Sequence, residues 1–157
     1  MRAVHGSPST NGRLRALGLP PVPGGPLRRA ANAEVVWNPQ GYGSPDLPGN
    51  GAASYYPGDA YVDVVADDLY DIGGKVEWAA AEKLYDAHPG KPFAFGEWGL
   101  WGIDDPSFVR EMASFLRTHR RTILATYYSG RAGSVFDLAS KPRSLAAYRS
   151  LIAPLAR

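Results

Sequence analysis

No cysteine occurs among the 157 residues, so neither a disulfide framework nor a thiolate metal centre is open to this chain. Acidic side chains are absent from the first thirty residues, which carry instead the five arginines Arg2, Arg13, Arg15, Arg28 and Arg29. No stretch approaches the roughly 20 apolar residues of a membrane span. Met1 to Thr10 also lacks the apolar core of a secretory signal, so a membrane partner is not expected and no localisation can be read. The three histidines, His5, His88 and His119, share no ligand spacing, and no metal or other cofactor is expected. Beyond the basic leader the chain holds 12 basic against 15 acidic residues, a net of −3. A nucleic-acid face needs clustered positive charge on the folded body, so nucleic acid is excluded as the main partner.

What is present suffices for one core: 45% of residues are hydrophobic and 11% aromatic, a globular composition. Residues 1–30 are rich in Gly, Pro and Arg, and the run from Pro20 to Pro26 can be neither helix nor central strand. This leader reads as a disordered linker, and residues 31–157 as the folded domain. Within that domain four β-rich runs stand out: Glu34–Trp37, Tyr61–Ala66, Pro92–Phe95 and Thr122–Tyr128. Their continuous apolar character favours strands covered on both faces, as in a parallel sheet.

Helical spacing separates them. Lys75–Ala87 places Val76, Ala80, Leu84 and Ala87 on one stripe. Asp105-Pro106 is an N-cap and first-turn pair for a helix carrying Phe108, Met112, Phe115 and Leu116, and Ser144–Leu151 repeats the pattern. Strands each followed by a helix imply right-handed βαβ crossovers. Two architectures remain: a doubly wound open sheet, or half of a (β/α)8 TIM barrel, which needs ~250 residues when whole.

In either architecture functional groups gather at the carboxyl ends of the strands. Trp37 and Asn38 stand there after the first run, Asp67, Asp68 and Tyr70 after the second, Glu97 and Trp98 after the third, and Tyr127 and Tyr128 after the fourth. Carboxylates among aromatics suit a sugar site, because aromatic faces stack on the C–H faces of pyranose rings and carboxylates supply acid, base or nucleophile.

These residues resemble a known family. Tyr55-Tyr56-Pro57-Gly58-Asp59-Ala60-Tyr61-Val62-Asp63 followed by Tyr70 is similar to the sixth-strand fingerprint of glycoside hydrolase family 26, the β-mannanases of the clan A barrels. Lys91–Gly99 resembles its seventh strand and Glu34–Pro39 its fifth. The resemblance covers roughly residues 28–153 and implies the C-terminal half of the barrel, strands five to eight. It implies a retaining hydrolase of a β-linked, mannan-like polysaccharide, with Glu97 as nucleophile and Tyr70 as the hydroxyl that orients it. Trp37, Asp68, Trp98, Trp101 and Tyr128 are the expected substrate-binding residues, and secretion is what the family suggests.

Two departures accompany the resemblance. The family's acid/base Glu, at the end of strand four, would fall in the leader, which has no carboxylate. Of the other carboxylates only Asp67 and Asp68 are at the correct end, and an Asp would need strong desolvation to act as an acid at neutral pH. Little turnover of polysaccharide is therefore expected. A non-catalytic carbohydrate-binding or interaction domain, or an inert gene fragment, stays open as the alternative, as does self-association through bare barrel edges. The second departure is the last strand, which ends Tyr127-Tyr128-Ser129 without the Trp that family members often place there. The long loop from Asn38 to Ala60, with Tyr42, Tyr55 and Tyr56, reads as functional.

Overall fold

Proline at the first helical position and glycine just past the last turn frame helix α1, Pro8–Ala16, in the computed structural model, which describes residues 8–22 and 33–156. Gly18 adopts φ +69°, and the Leu19 amide donates to the Leu14 carbonyl at 2.8 Å while the Gly18 amide donates to Arg15 at 3.0 Å. This paired closure is a Schellman stop, which glycine makes without the steric penalty of a Cβ. Beyond it, the Asn11 carboxamide holds Val22 by two hydrogen bonds, of 3.0 and 2.9 Å. The leader thus contains a helix that the linker reading did not include. Its Pro-rich run begins only after a stretch of good helix formers, Arg13 to Leu17. Residues 1–7 and 23–32 lie outside the described residues.

Residues 1–34 and 35–157 form separate compact units, and the second carries the sheet. Its elements run β1 (Val36–Trp37), β2 (Val64–Ile72), α2 (Trp78–Ala87), β3 (Phe93–Trp101), α3 (Pro106–Thr118), β4 (Thr122–Tyr127) and α4 (Pro142–Leu151). The four strands are parallel and lie in the order β1-β2-β3-β4. A doubly wound sheet needs a reversal of strand order, and none occurs here. Consecutive right-handed crossovers place every helix on one face, which is the construction of a barrel wall.

Side-chain packing agrees. Val65, Leu69, Phe93, Phe95, Trp98 and Leu100 share one buried cluster with Ala81 and Leu84 of α2 and Phe108, Val109, Met112, Ala113 and Phe115 of α3. Val64, Ala66 and Ala94 form a second, separate cluster on the opposite, concave face. Only small or β-branched side chains occupy that inner layer, as the curvature of a barrel interior requires.

The connections are tied where the chain turns. The Val35 amide donates to the Asp63 carboxylate at 2.9 Å, and the Asp63 amide donates back to the Val35 carbonyl at 2.9 Å, which sets β1 beside β2. Lys91 Nζ donates to the Asp59 and Val62 carbonyls, and the Arg121 guanidinium to those of Tyr85, His88 and Lys91. Asp105 caps α3 by accepting from the Ser107 amide at 2.7 Å, the role its place before Pro106 implies.

Two expectations need correction. The second strand does not end at Ala66 but continues to Ile72, so Asp67 to Asp71 lie within it, and the third runs on from its apolar start through Glu97 to Trp101. Charge and glycine resembled strand ends there, whereas both ladders run on. In α2, which begins at Trp78, the buried positions are Ala81 and Leu84, while Ala80 is half-buried and Ala87 exposed.

Candidate active site

One bulge decides what the concave face displays. Asp67 pairs with Phe95 and Asp68 with Glu97, so Gly96 is an extra residue with no partner on β2. A bulge of this kind reverses the side-chain alternation beyond it. Before it, Phe93 and Phe95 pack under the helices; after it, Trp98 and Leu100 do. Glu97 is thereby turned to the concave face. Gly96 is required there for a second reason: a Cβ on it would stand 2.7 to 2.9 Å from the side chain of Asn38.

Asn38, just past β1, donates to Asp68 Oδ1 at 2.9 Å. Tyr70, two residues further along β2 and so on the same face, donates its hydroxyl to Glu97 Oε2 at 2.5 Å. Gly99 gives the Tyr70 ring its room, since a Cβ there would meet Tyr70 Cε1 at 3.2 Å and the Tyr128 carbonyl at 3.3 Å. Around Tyr70 stand Trp101, Tyr128 and Phe136, with ring centroids 6.1, 6.4 and 5.6 Å away. Trp101 and Tyr128 are 48% and 40% exposed, enough for a ligand to reach their faces.

The electrostatics follow from this crowding. Burial raises the Asp68 carboxyl above its ordinary range, the bond from Asn38 opposes the rise, and the charge of Glu97 adds to it. Burial, then the hydrogen bond to Glu97, pushes the Tyr70 hydroxyl well above its usual value. Tyr70 therefore remains a donor throughout the neutral range.

Of the residues singled out from sequence, Glu97, Tyr70, Asp68, Trp101 and Tyr128 come together on the concave face. Two do not. Trp98 is fully buried on the helix-facing side, with Phe108, Tyr127 and Tyr148 around it at 5.7, 5.0 and 6.0 Å, and offers no surface to a sugar. Trp37 pairs in register with Val65 and packs on Tyr56 and His88 at 4.7 and 5.5 Å, away from Glu97. Asp67 also parts from Asp68: it is 1% exposed beneath the helices, where burial and the charge of Asp68 push its carboxyl up to about 7.

Sequence reasoning left three site residues without a role. Asn38 carried the signal of a polar residue closing a strand. Phe136 carried none, lying in an irregular segment after β4. Gly96 looked like a strand end and is the bulge. Asn38 also opens onto a cleft of about 310 Å3 formed by the loop after β1, lined by Gln40, Tyr42, Asn50 and Tyr55 among others. Among the described residues no group of three His, Asp or Glu is placed to hold a metal ion.

Comparison with known proteins gives fold-level neighbours only. No family model matches the sequence, and no curated protein does. Among solved structures, the chain is similar to a GH26 β-mannanase from Bacteroides ovatus, with 22% identity over 90% of this chain and 41% of that one, at a TM-score of 0.47. An endo-β-1,4-mannanase double mutant from Cellulomonas fimi gives 24% identity over 71% of this chain and 30% of the other, at 0.46. GH26A from a Muricauda species gives 24% over 74% and 35%, at 0.45. The chain thus spans 30 to 41% of the length of these proteins.

Proposed function

We propose that this chain is a retaining glycoside hydrolase of a β-linked, mannan-like polysaccharide, built on the C-terminal half of a family 26 type barrel, with Glu97 as nucleophile. The observation that carries this reading is the Tyr70–Glu97 bond of 2.5 Å on the concave face, beside exposed Trp101 and Tyr128. A retaining enzyme needs a carboxylate that attacks the anomeric carbon to give a glycosyl ester, which water then hydrolyses. The Tyr70 hydroxyl fixes one oxygen of Glu97 and leaves the other for attack, while Trp101 and Tyr128 offer faces on which pyranose rings stack. The sequence motifs at Tyr55–Asp63 and Lys91–Gly99 support the choice of substrate class.

An activated aryl glycoside, 2,4-dinitrophenyl β-mannobioside, tests the reading because its leaving group departs without a proton. Release of dinitrophenolate that Glu97→Gln abolishes is the expected result. Release indifferent to that change removes Glu97 from the mechanism. Saturable oligosaccharide binding without any release would favour a purely sugar-binding role resting on Trp101 and Tyr128. Self-association belongs to the same proposal: Val36 at one sheet edge and Ile123 and Leu124 at the other are 52, 61 and 57% exposed, and bare edges invite a second copy of the chain.

A further inference from the structure

The loop after β1 is pinned along its length. Gln40 forms a parallel bridge with Asp68, so the chain keeps the direction of β1 for a few residues past its end. Gly41 lies against α2, where a Cβ on it would stand 2.6 Å from Ala80 Cβ. Gly43 is buried, and a Cβ there would stand 2.5 Å from the Asn50 carbonyl oxygen and 2.9 Å from that of Pro45. The Asn50 carboxamide ties the returning chain: it donates to the Pro45 carbonyl at 2.7 Å and accepts from the Tyr55 hydroxyl at 2.5 Å. A long loop is usually either functional or disordered, and these ties fit the first. What the loop encloses is the cleft of about 310 Å3.

Resting on the reading of Glu97 as nucleophile, we propose that this cleft is a subsite for neutral pyranose units, holding the glycan beyond the unit that Glu97 attacks. Its lining includes Asn38, Gln40, Tyr42, Asn50 and Tyr55 and contains no charged side chain. A phosphate, uronate or ammonium ligand would lose its water there with no opposite charge in exchange. Carboxamides both donate and accept, which is what a pair of neighbouring hydroxyls requires. Tyr42 and Tyr55 are exposed, and the bond to Asn50 holds the Tyr55 ring as a stacking face before any ligand arrives. The volume is at the small end of the ~300–1,000 Å3 of ligand pockets, which suits one or two sugar rings.

Asn38 joins the cleft to the concave face. Its carboxamide lines the cleft, donates to Asp68 Oδ1 at 2.9 Å and lies against Gly96, the residue before Glu97. A glycan seated at Glu97 therefore meets the cleft at Asn38. Sugar units held there do not react, so their contacts are equal in ground and transition states and act on affinity rather than on the chemical step.

Nuclear magnetic resonance titration of the Glu97→Gln chain, which cannot turn substrate over, locates the ligand through its side-chain amide signals. Mannotetraose should shift the carboxamide signals of Gln40 and Asn50 and bind about 10-fold more tightly than mannobiose, the size of one added stacking or hydrogen-bonding contact. Added salt should leave that advantage unchanged, because uncharged partners are not screened. Gln40→Ala combined with Tyr42→Ala should abolish the advantage while leaving mannobiose affinity and the melting temperature as they were. Mannotetraose bound no more tightly than mannobiose, unmoved Gln40 and Asn50 signals, or an advantage that survives the double substitution overturns the subsite. Dinitrophenolate release by the unaltered chain separates the two levels. Release that Glu97→Gln abolishes, with the Gln40 and Asn50 signals unmoved, overturns the subsite alone. Release indifferent to Glu97→Gln, with mannotetraose still shifting Gln40 and Asn50, overturns the nucleophile reading and leaves the cleft as a sugar-binding site.

Discussion

Tyr70 meets Glu97 through a single short bond, and its own shifted acidity keeps the proton on the tyrosine side. A hydrogen bond to a charged group is worth about 1.5–3 kcal/mol. Tyr70→Phe, which keeps the ring among Trp101, Tyr128 and Phe136, should therefore lower kcat on the activated mannobioside by about 10- to 100-fold, with little change in KM or thermal stability. Steady-state kinetics beside a melting curve checks this. At this scale Glu97, Asp68 and Tyr70 were legible because charge and hydroxyl interrupt apolar runs. Trp98 was misread for a definite reason. Simple alternation from Phe93 and Phe95 sends Glu97 under the helices and Trp98 to the concave face, and the extra residue Gly96 exchanges the two. A bulge has no reliable mark in a single sequence beyond a glycine, and glycines are common here.

At the scale of the element, β2 shows what the sequence could and could not convey. Its existence, parallel pairing and apolar start were readable. Its length was not, since Asp67, Asp68 and Asp71 look like a turn until the ladder beside β3 is seen. Of these, Asp68 reaches the concave face and Asp67 remains beneath the helices, with one carboxylate oxygen lacking a hydrogen-bond partner. Because burial raises the Asp67 carboxyl to about 7, its protonated form is favoured in the folded chain. The associated stability is complete below the ordinary carboxylate range and is lost as pH rises through about 7. Urea unfolding should show the protein less stable at pH 8 than at pH 5, by up to roughly 2.5 kcal/mol. Asp67→Asn should flatten that dependence, and a wild-type profile already flat across this interval would sink the account. The caps behave more simply: Asp104 and Asp105, adjacent in sequence, serve the first turns of α4 and α3 respectively.

For the molecule as a whole, the four-stranded arc has exposed apolar side chains along β1 and β4, whereas β2 and β3 are buried over most of their length. Sedimentation equilibrium should show association at micromolar concentrations, and Ile123→Lys with Leu124→Lys should shift the average mass toward the monomer. A wild-type mass that stays monomeric at tens of micromolar would contradict the edge proposal. The strand order was legible only as two alternatives, because βαβ repetition alone does not say whether the chain reverses. The order β1-β2-β3-β4 also bears on how the fold is made. Each strand pairs with the one synthesised just before it, Val65 with Phe93 and Phe93 with Thr122, so every ladder closes a loop of fewer than about thirty residues. The sheet can therefore grow strand by strand as the chain emerges from the ribosome, without waiting for a distant segment. Phe93, which joins two successive ladders, is where an interruption in that growth would be felt by both.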